Sequence, residues 1–222
     1  MDSKSASFIV NLKNQIIGIL PVFLINIALG LGGAAVTVLI ADLSDNPIWK
    51  LAKDPAQTIG FPPYIGLLSN WGALLWMSAA AICLFASLVM KNHQATFRTY
   101  RFLFVSGVLS FLLAIDDIFL LHDEVLPRLL NMPEFFFYLL YIIIFGSYLI
   151  YFWRDISTYD YLLFIIAFAL LLVSRGFFLP RVLRDYMTTN DMLKYFGVVF
   201  WLAFFYRASM QEIKSLTSKK EE

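Results

Sequence analysis

The chain has 222 residues, 60% of them hydrophobic and 15% charged, with 17 lysines and arginines against 16 aspartates and glutamates. Such a chain is too apolar for a soluble domain of this size, and nothing in it suggests binding of DNA, RNA or nucleotides. The single cysteine, Cys83, excludes an intrachain disulfide and any Cys-x-x-Cys redox or zinc motif.

Runs of 18 or more apolar residues read as membrane helices, because about 20 residues rising 1.5 Å each match a hydrocarbon core of about 30 Å. Six such runs are present, at 16–40, 65–90, 99–122, 134–153, 160–180 and 192–210. The predicted fold is therefore all-α: a polytopic membrane protein, one transmembrane domain over 1–222, built as a bundle of six helices.

The first run is far longer than the h-region of a cleaved signal, and its Gly30, Gly32, Gly33, Ala34 and Ala35 suit close helix packing. The loop 42–64 holds Asn46-Pro47, a helix-start signal with proline at the first helical position. Trp49, Lys50 and Lys53 then suit a short interfacial helix, and Pro62-Pro63 ends the loop. In the second run Ala79, Cys83 and Ser87 repeat the small-residue device. The fourth run carries Phe135, Phe136, Phe137 and Tyr138 at one end and Tyr148, Tyr151, Phe152 and Trp153 at the other, the pattern of interfacial belts. Gly72 and Trp76 echo Gly197 and Trp201, too little to make a repeat.

Loop lysines and arginines number ten on one side and six on the other, which predicts both termini in the cytoplasm. Ten of the 16 acidic residues then fall on or toward the outer side.

The third run contains Asp116-Asp117 and ends in His122-Asp123-Glu124. Charge at membrane depth costs roughly 2.5–3.5 kcal/mol per residue on insertion scales, so these carboxylates need a partner, water or a function. Counting 1.5 Å per residue from the helix ends puts Asp116, Asp117, Ser69, Asn70 and Arg175 about 6–8 Å below the outer boundary. Asp191 and Lys194 lie at the mouth of the sixth run. On a helical wheel Asp116 and Asp123 share one face, Asp117 and Glu124 share another, and His122 points elsewhere. Arg175 is the expected partner of Asp116 or Asp117, because a buried carboxylate without a counter-charge protonates instead. The candidate pocket is thus Asp116, Asp117, Arg175, Asn70 and Ser69, with His122, Asp123, Glu124 and Lys194 at its rim.

Three functions fit. The first is an outward-facing acidic pocket that binds or transports a cation, a proton or a small polar ligand. The second is a structural subunit of a larger membrane complex or a homo-oligomer, in contact with partners through its aromatic fourth helix. The third is an enzyme on lipid-like substrates, with Ser69, Ser110 or His122 assisting and a hard divalent cation held by Asp116 and Asp117. No other cofactor is expected. The Asp, His and Ser content faintly resembles the alkaline-ceramidase and progestin-receptor-like membrane hydrolases. That resemblance implies a zinc site of several histidines, which His93 and His122 alone, on opposite sides, cannot build. No Walker loop, nucleotide fingerprint or His-Glu-x-x-His motif is present.

Overall fold

A computed structural model describes residues 3–53, 55–62, 64–92, 97–174 and 187–218. All regular structure among these residues is helical, and it divides into two compact units, Met1–Ile65 and Gly66–Glu222. Arg175, His93 and Pro63, which the sequence singles out, lie outside the described residues.

The first unit is a long helix, α1 (Ser3–Leu43), followed by two single-turn helices, α2 (Ile48–Ala52) and α3 (Pro55–Ile59). Pro21 lies inside α1, and the stretch apolar enough to cross a membrane, Phe23–Leu43, begins just after it. Among the described residues nothing lies within 4 Å of a Cβ placed at Gly30, Gly32 or Gly33, so their expected role in close packing finds no partner among them. Pro47 occupies the N-cap in an extended conformation (φ −66°, ψ 138°), one position earlier than expected, so the helix begins at Ile48. Lys50 and Lys53 hold their ammonium groups 6.0 and 5.3 Å from the Trp49 ring.

The second unit contains α4 (Leu67–Asn92), α5 (Phe97–Phe119), a single-turn π-helix (Leu121–Val125), α6 (Leu126–Leu130), α7 (Glu134–Ile156), α8 (Tyr161–Ser174) and α9 (Met187–Ser218). Pairs of residues along α5 fix its register. Against α4, Gly107 faces Leu84 so closely that an added Cβ would stand 2.7 Å from Leu84 Cγ, and Gly72 faces Asp117. Against α9, Lys194 reaches Asp117 and the Trp201 indole N–H donates to Ser110 Oγ at 2.9 Å. Across to α7, the Ser106 and Tyr148 hydroxyls share a hydrogen bond of 2.7 Å and Arg98 clasps Asp155. α5 is therefore antiparallel to α4, α7 and α9. In turn α8 runs antiparallel to α9, with Leu171 over Gly197 and Asp160 bonded to Arg207.

Trp201 centres the core, with its ring 5.3 Å from Trp76, 5.4 Å from Phe164 and 5.0 Å from Phe205, edge-on or tilted as aromatic quadrupoles prefer. Ala79, Cys83 and Ser87 are fully buried, which lets α4 lie close to its neighbours. Phe137, Tyr148 and Phe152 correct the belt expectation: all three are buried, Tyr148 and Phe152 because α7 meets α5 through long aromatic side chains, whereas Tyr151 and Trp153 stay exposed.

Among the described residues, four helical stretches are long and apolar enough to cross a membrane: Phe23–Leu43, α4, α5 and α7. Large apolar side chains cover their outer surfaces, far beyond the few hundred Å² of apolar patch that a soluble monomer tolerates. The protein is a membrane protein. The described part of the fifth expected run, α8, is a shorter apolar helix, and α9 is long but more polar.

Candidate functional site

The site is made by a break in the backbone. α5 ends at Phe119, and Leu120 adopts the left-handed conformation (φ 49°, ψ 43°) before the π-turn begins. Had the helix continued, the N–H of His122 would have bonded to the carbonyl four residues back. Instead it is captured at 3.0 Å by Asp116 Oδ1, a side chain standing in for the lost carbonyl. The same turn swings the His122 ring inward, so that Nδ1 lies 2.6 Å from Asp116 Oδ2. This corrects the helical-wheel reading, which sent His122 away from the acidic face by assuming an unbroken helix.

The other ring nitrogen, Nε2, lies 2.9 Å from Asp123 Oδ1 but outside hydrogen-bonding alignment, so it is buried without a hydrogen-bond partner among the described residues. Asp123 Oδ1 also accepts the Tyr138 hydroxyl at 2.9 Å. Tyr138 and Tyr141 set their rings edge-on to the imidazole, at 5.5 and 5.3 Å. One imidazole is thus flanked by a carboxylate on each nitrogen and walled by two tyrosines from α7. The side chains of Asp116 and His122 are 8% and 5% exposed and that of Asp123 is 37% exposed, so the group leads from the interior to the surface.

Asp117 points the other way, toward α4 and α9. Lys194 is its ion-pair partner, and its second oxygen, Oδ2, is buried against Gly72 without a hydrogen bond among the described residues. Asn190 Oδ1, one turn before Lys194, is likewise buried and unpartnered among them. The two adjacent aspartates therefore serve two separate clusters.

The sequence-predicted residues divide accordingly. His122 and Asp123 join Asp116, and Lys194 joins Asp117. Glu124 pairs with Arg128 one turn on, at the surface. Ser69 and Asn70 are exposed at the start of α4, and neither bonds to an aspartate among the described residues. Ser110 lies two turns deeper, bonded to Trp201. Tyr138, Tyr141 and Asn190 are members that sequence reasoning missed. The short connection at residues 131–133 was the available signal, since it obliges the first turns of α7 to lie beside the His122 turn. The described His, Cys, Asp and Glu side chains form no group of three arranged to hold a metal ion.

No curated protein and no solved structure matches the chain. The sequence model of one family, described as "Domain of unknown function (DUF8692)", matches residues 27–208, most of the chain and all of the site's described residues, and the chain belongs to that family.

Proposed function

We propose that the protein binds, and exchanges with the outer side of the membrane, a proton or small cation at Asp116 and His122, with Asp117 and Lys194 as a second charged pair. The observation that carries this reading is the continuous group Asp116–His122–Asp123, buried at one end and open at the other. Acidic residues near the end of a membrane helix commonly mark proton or cation pathways. His122 Nε2 and Asp123 Oδ1 lie 2.9 Å apart but out of hydrogen-bonding alignment, so a proton added at Nε2 would pass outward to Asp123 on a turn of the ring. The absence of a three-ligand cluster among the described residues favours a proton over a hard divalent cation at this position.

The topology that goes with this reading is one domain of six crossings with both termini cytoplasmic. What supports a crossing by α9, despite its greater polarity, is that Val198, Trp201, Phe204, Phe205 and Ala208 are buried on a helix packed against α4 and α8. The surplus of loop lysines and arginines orients the bundle, and Trp49 with its two lysines suits α2 to the outer interface.

Infrared difference spectra of the full chain, taken between mildly acidic and mildly alkaline buffer, test the proposal. Wild type should show coupled carboxyl and imidazole bands that vanish in Asp116→Asn while folded yield is unchanged. Identical spectra from wild type, Asp116→Asn and His122→Asn would overturn it, and would leave the pair a lock on helix register within a structural subunit.

A further inference from the structure

The opposite end of the second unit carries a different chemistry. Because α5 and α7 meet through long side chains, a groove of about 490 Å³ runs between them, lined by Val105, Leu109, Ile143, Ile144, Ser147 and Tyr151 among others. It continues into a hollow of about 590 Å³ that shares Ser147 and Tyr151 and adds Arg98, Ile150 and Arg154. The apolar part of the lining gives way to guanidinium groups along one helix edge. From Ile143 to Arg154 the distance along α7 is about 16 Å, close to half of a hydrocarbon core of about 30 Å.

The arginines are arranged around this mouth. Arg98 is oriented by Asp155, which takes its Nε at 2.7 Å and one Nη at 2.9 Å and leaves the outer N–H groups of the fork available. Arg101 lies over the rings of Phe97 and Tyr151, at 5.4 and 5.2 Å. Three arginines thus stand against one carboxylate, at a level where a single leaflet's headgroups would lie. Guanidinium forks match phosphate oxygens in pairs. A soluble anion would satisfy the arginines but leave the apolar groove uncovered. An amphiphile with a phosphate at one end and a hydrocarbon chain at the other covers both.

We propose that this face is a binding site for one anionic phospholipid, its phosphate on Arg98 and Arg154 and one acyl chain along the α5–α7 groove. The site is independent of the Asp116 cluster, which lies at the far end of the same helices.

Native mass spectrometry of the full chain, released from micelles containing equal phosphatidylglycerol and phosphatidylcholine, tests it. Wild type should retain one phosphatidylglycerol at least about fivefold more often than phosphatidylcholine, the factor expected from one arginine's attraction for an anionic lipid. Arg154→Gln, at an exposed position, should lower that preference, Arg98 remaining in place. Ser147→Phe, which fills the groove and keeps every arginine, should reduce retention of both lipids. Equal retention of the two lipids by wild type, or an unchanged preference in Arg154→Gln, would overturn the proposal. So would displacement of the lipid by millimolar inorganic phosphate, which would make this a free-phosphate site. A dimer that Ser147→Phe dissolves would equally overturn it, because the groove would then belong to a second copy.

Discussion

Asp116 holds His122 twice, through the backbone N–H at 3.0 Å and through ring Nδ1 at 2.6 Å. Removing either side chain leaves a buried polar group without its partner, which costs about 1–3 kcal/mol. Asp116→Leu should cost more than His122→Leu, since it also frees the backbone N–H at the helix break. The double variant should lose less than the sum of the two, as measured by unfolding in mixed micelles. Strictly additive losses would show that the two residues do not act as a pair.

Lys194→Leu strands the Asp117 carboxylate, whose side chain is only 7% exposed. Breaking a fully buried pair costs about 3–5 kcal/mol, and because the lysine is a third exposed the loss here should fall at or below the lower end of that range. The sequence reading made Arg175 the partner of Asp116 or Asp117, and Arg175 lies outside the described residues. Asp117→Leu combined with Lys194→Leu should recover much of the single-variant loss. Comparing folded yields of the three variants decides the matter: no recovery would remove Lys194 as the partner.

Gly107 permits the closest approach of α5 to α4. Gly107→Val should lower the apparent Tm sharply, because its Cβ would overlap Leu84, and overpacking of this kind costs about 1–3 kcal/mol. Leu84→Ala should restore part of the loss in the Gly107→Val background while destabilising the wild type. If Leu84→Ala merely adds its own cost, the contact is not the cause.

Leu120 adopts φ 49°, in the left-handed region, with its side chain exposed. That conformation costs a leucine about 1–2 kcal/mol, and glycine gives back about 0.5–1 kcal/mol in chain entropy. Leu120→Gly should therefore stabilise by up to about 1.5 kcal/mol. Leu120→Val should destabilise. Scanning fluorimetry in detergent would register both signs, and a loss with glycine would contradict the strain.

The Tyr159 hydroxyl donates to Glu212 Oε1 at 2.7 Å. Burial pushes the phenol above its ordinary range, and the adjacent Glu212 carboxylate adds to the effect. A raised pKa means that the fold favours the neutral phenol. Its contribution is complete below about pH 10, the ordinary tyrosine value, and is lost as pH rises beyond it. Wild type should thus lose apparent Tm more steeply than Tyr159→Phe above about pH 10. Parallel slopes would refute the assignment.

Much of this was legible from residue patterns. The four apolar runs at the first to fourth positions correspond to helices, because length and hydropathy are local properties. The small-residue spacing of Ala79, Cys83 and Ser87 likewise read correctly as packing. The pairing of Asp116 was not legible. A wheel presumes constant rotation, and one left-handed residue at Leu120 turns His122 back onto Asp116, against what the wheel says of it. Nor was the meeting of Trp76 with Trp201 legible: their matching glycines looked like a weak repeat, while the rings touch because α4 and α9 run parallel on the same side of α5. Inter-helix partners depend on register, and register is set by contacts such as Gly107 on Leu84 that no single segment announces.

The ring cluster of Trp76, Trp201, Phe164 and Phe205 lies between the two polar ends of the second unit. Were a solute to enter beside Asp116, these rings would stand between it and the arginine end, and its emergence there would require the tryptophans to part.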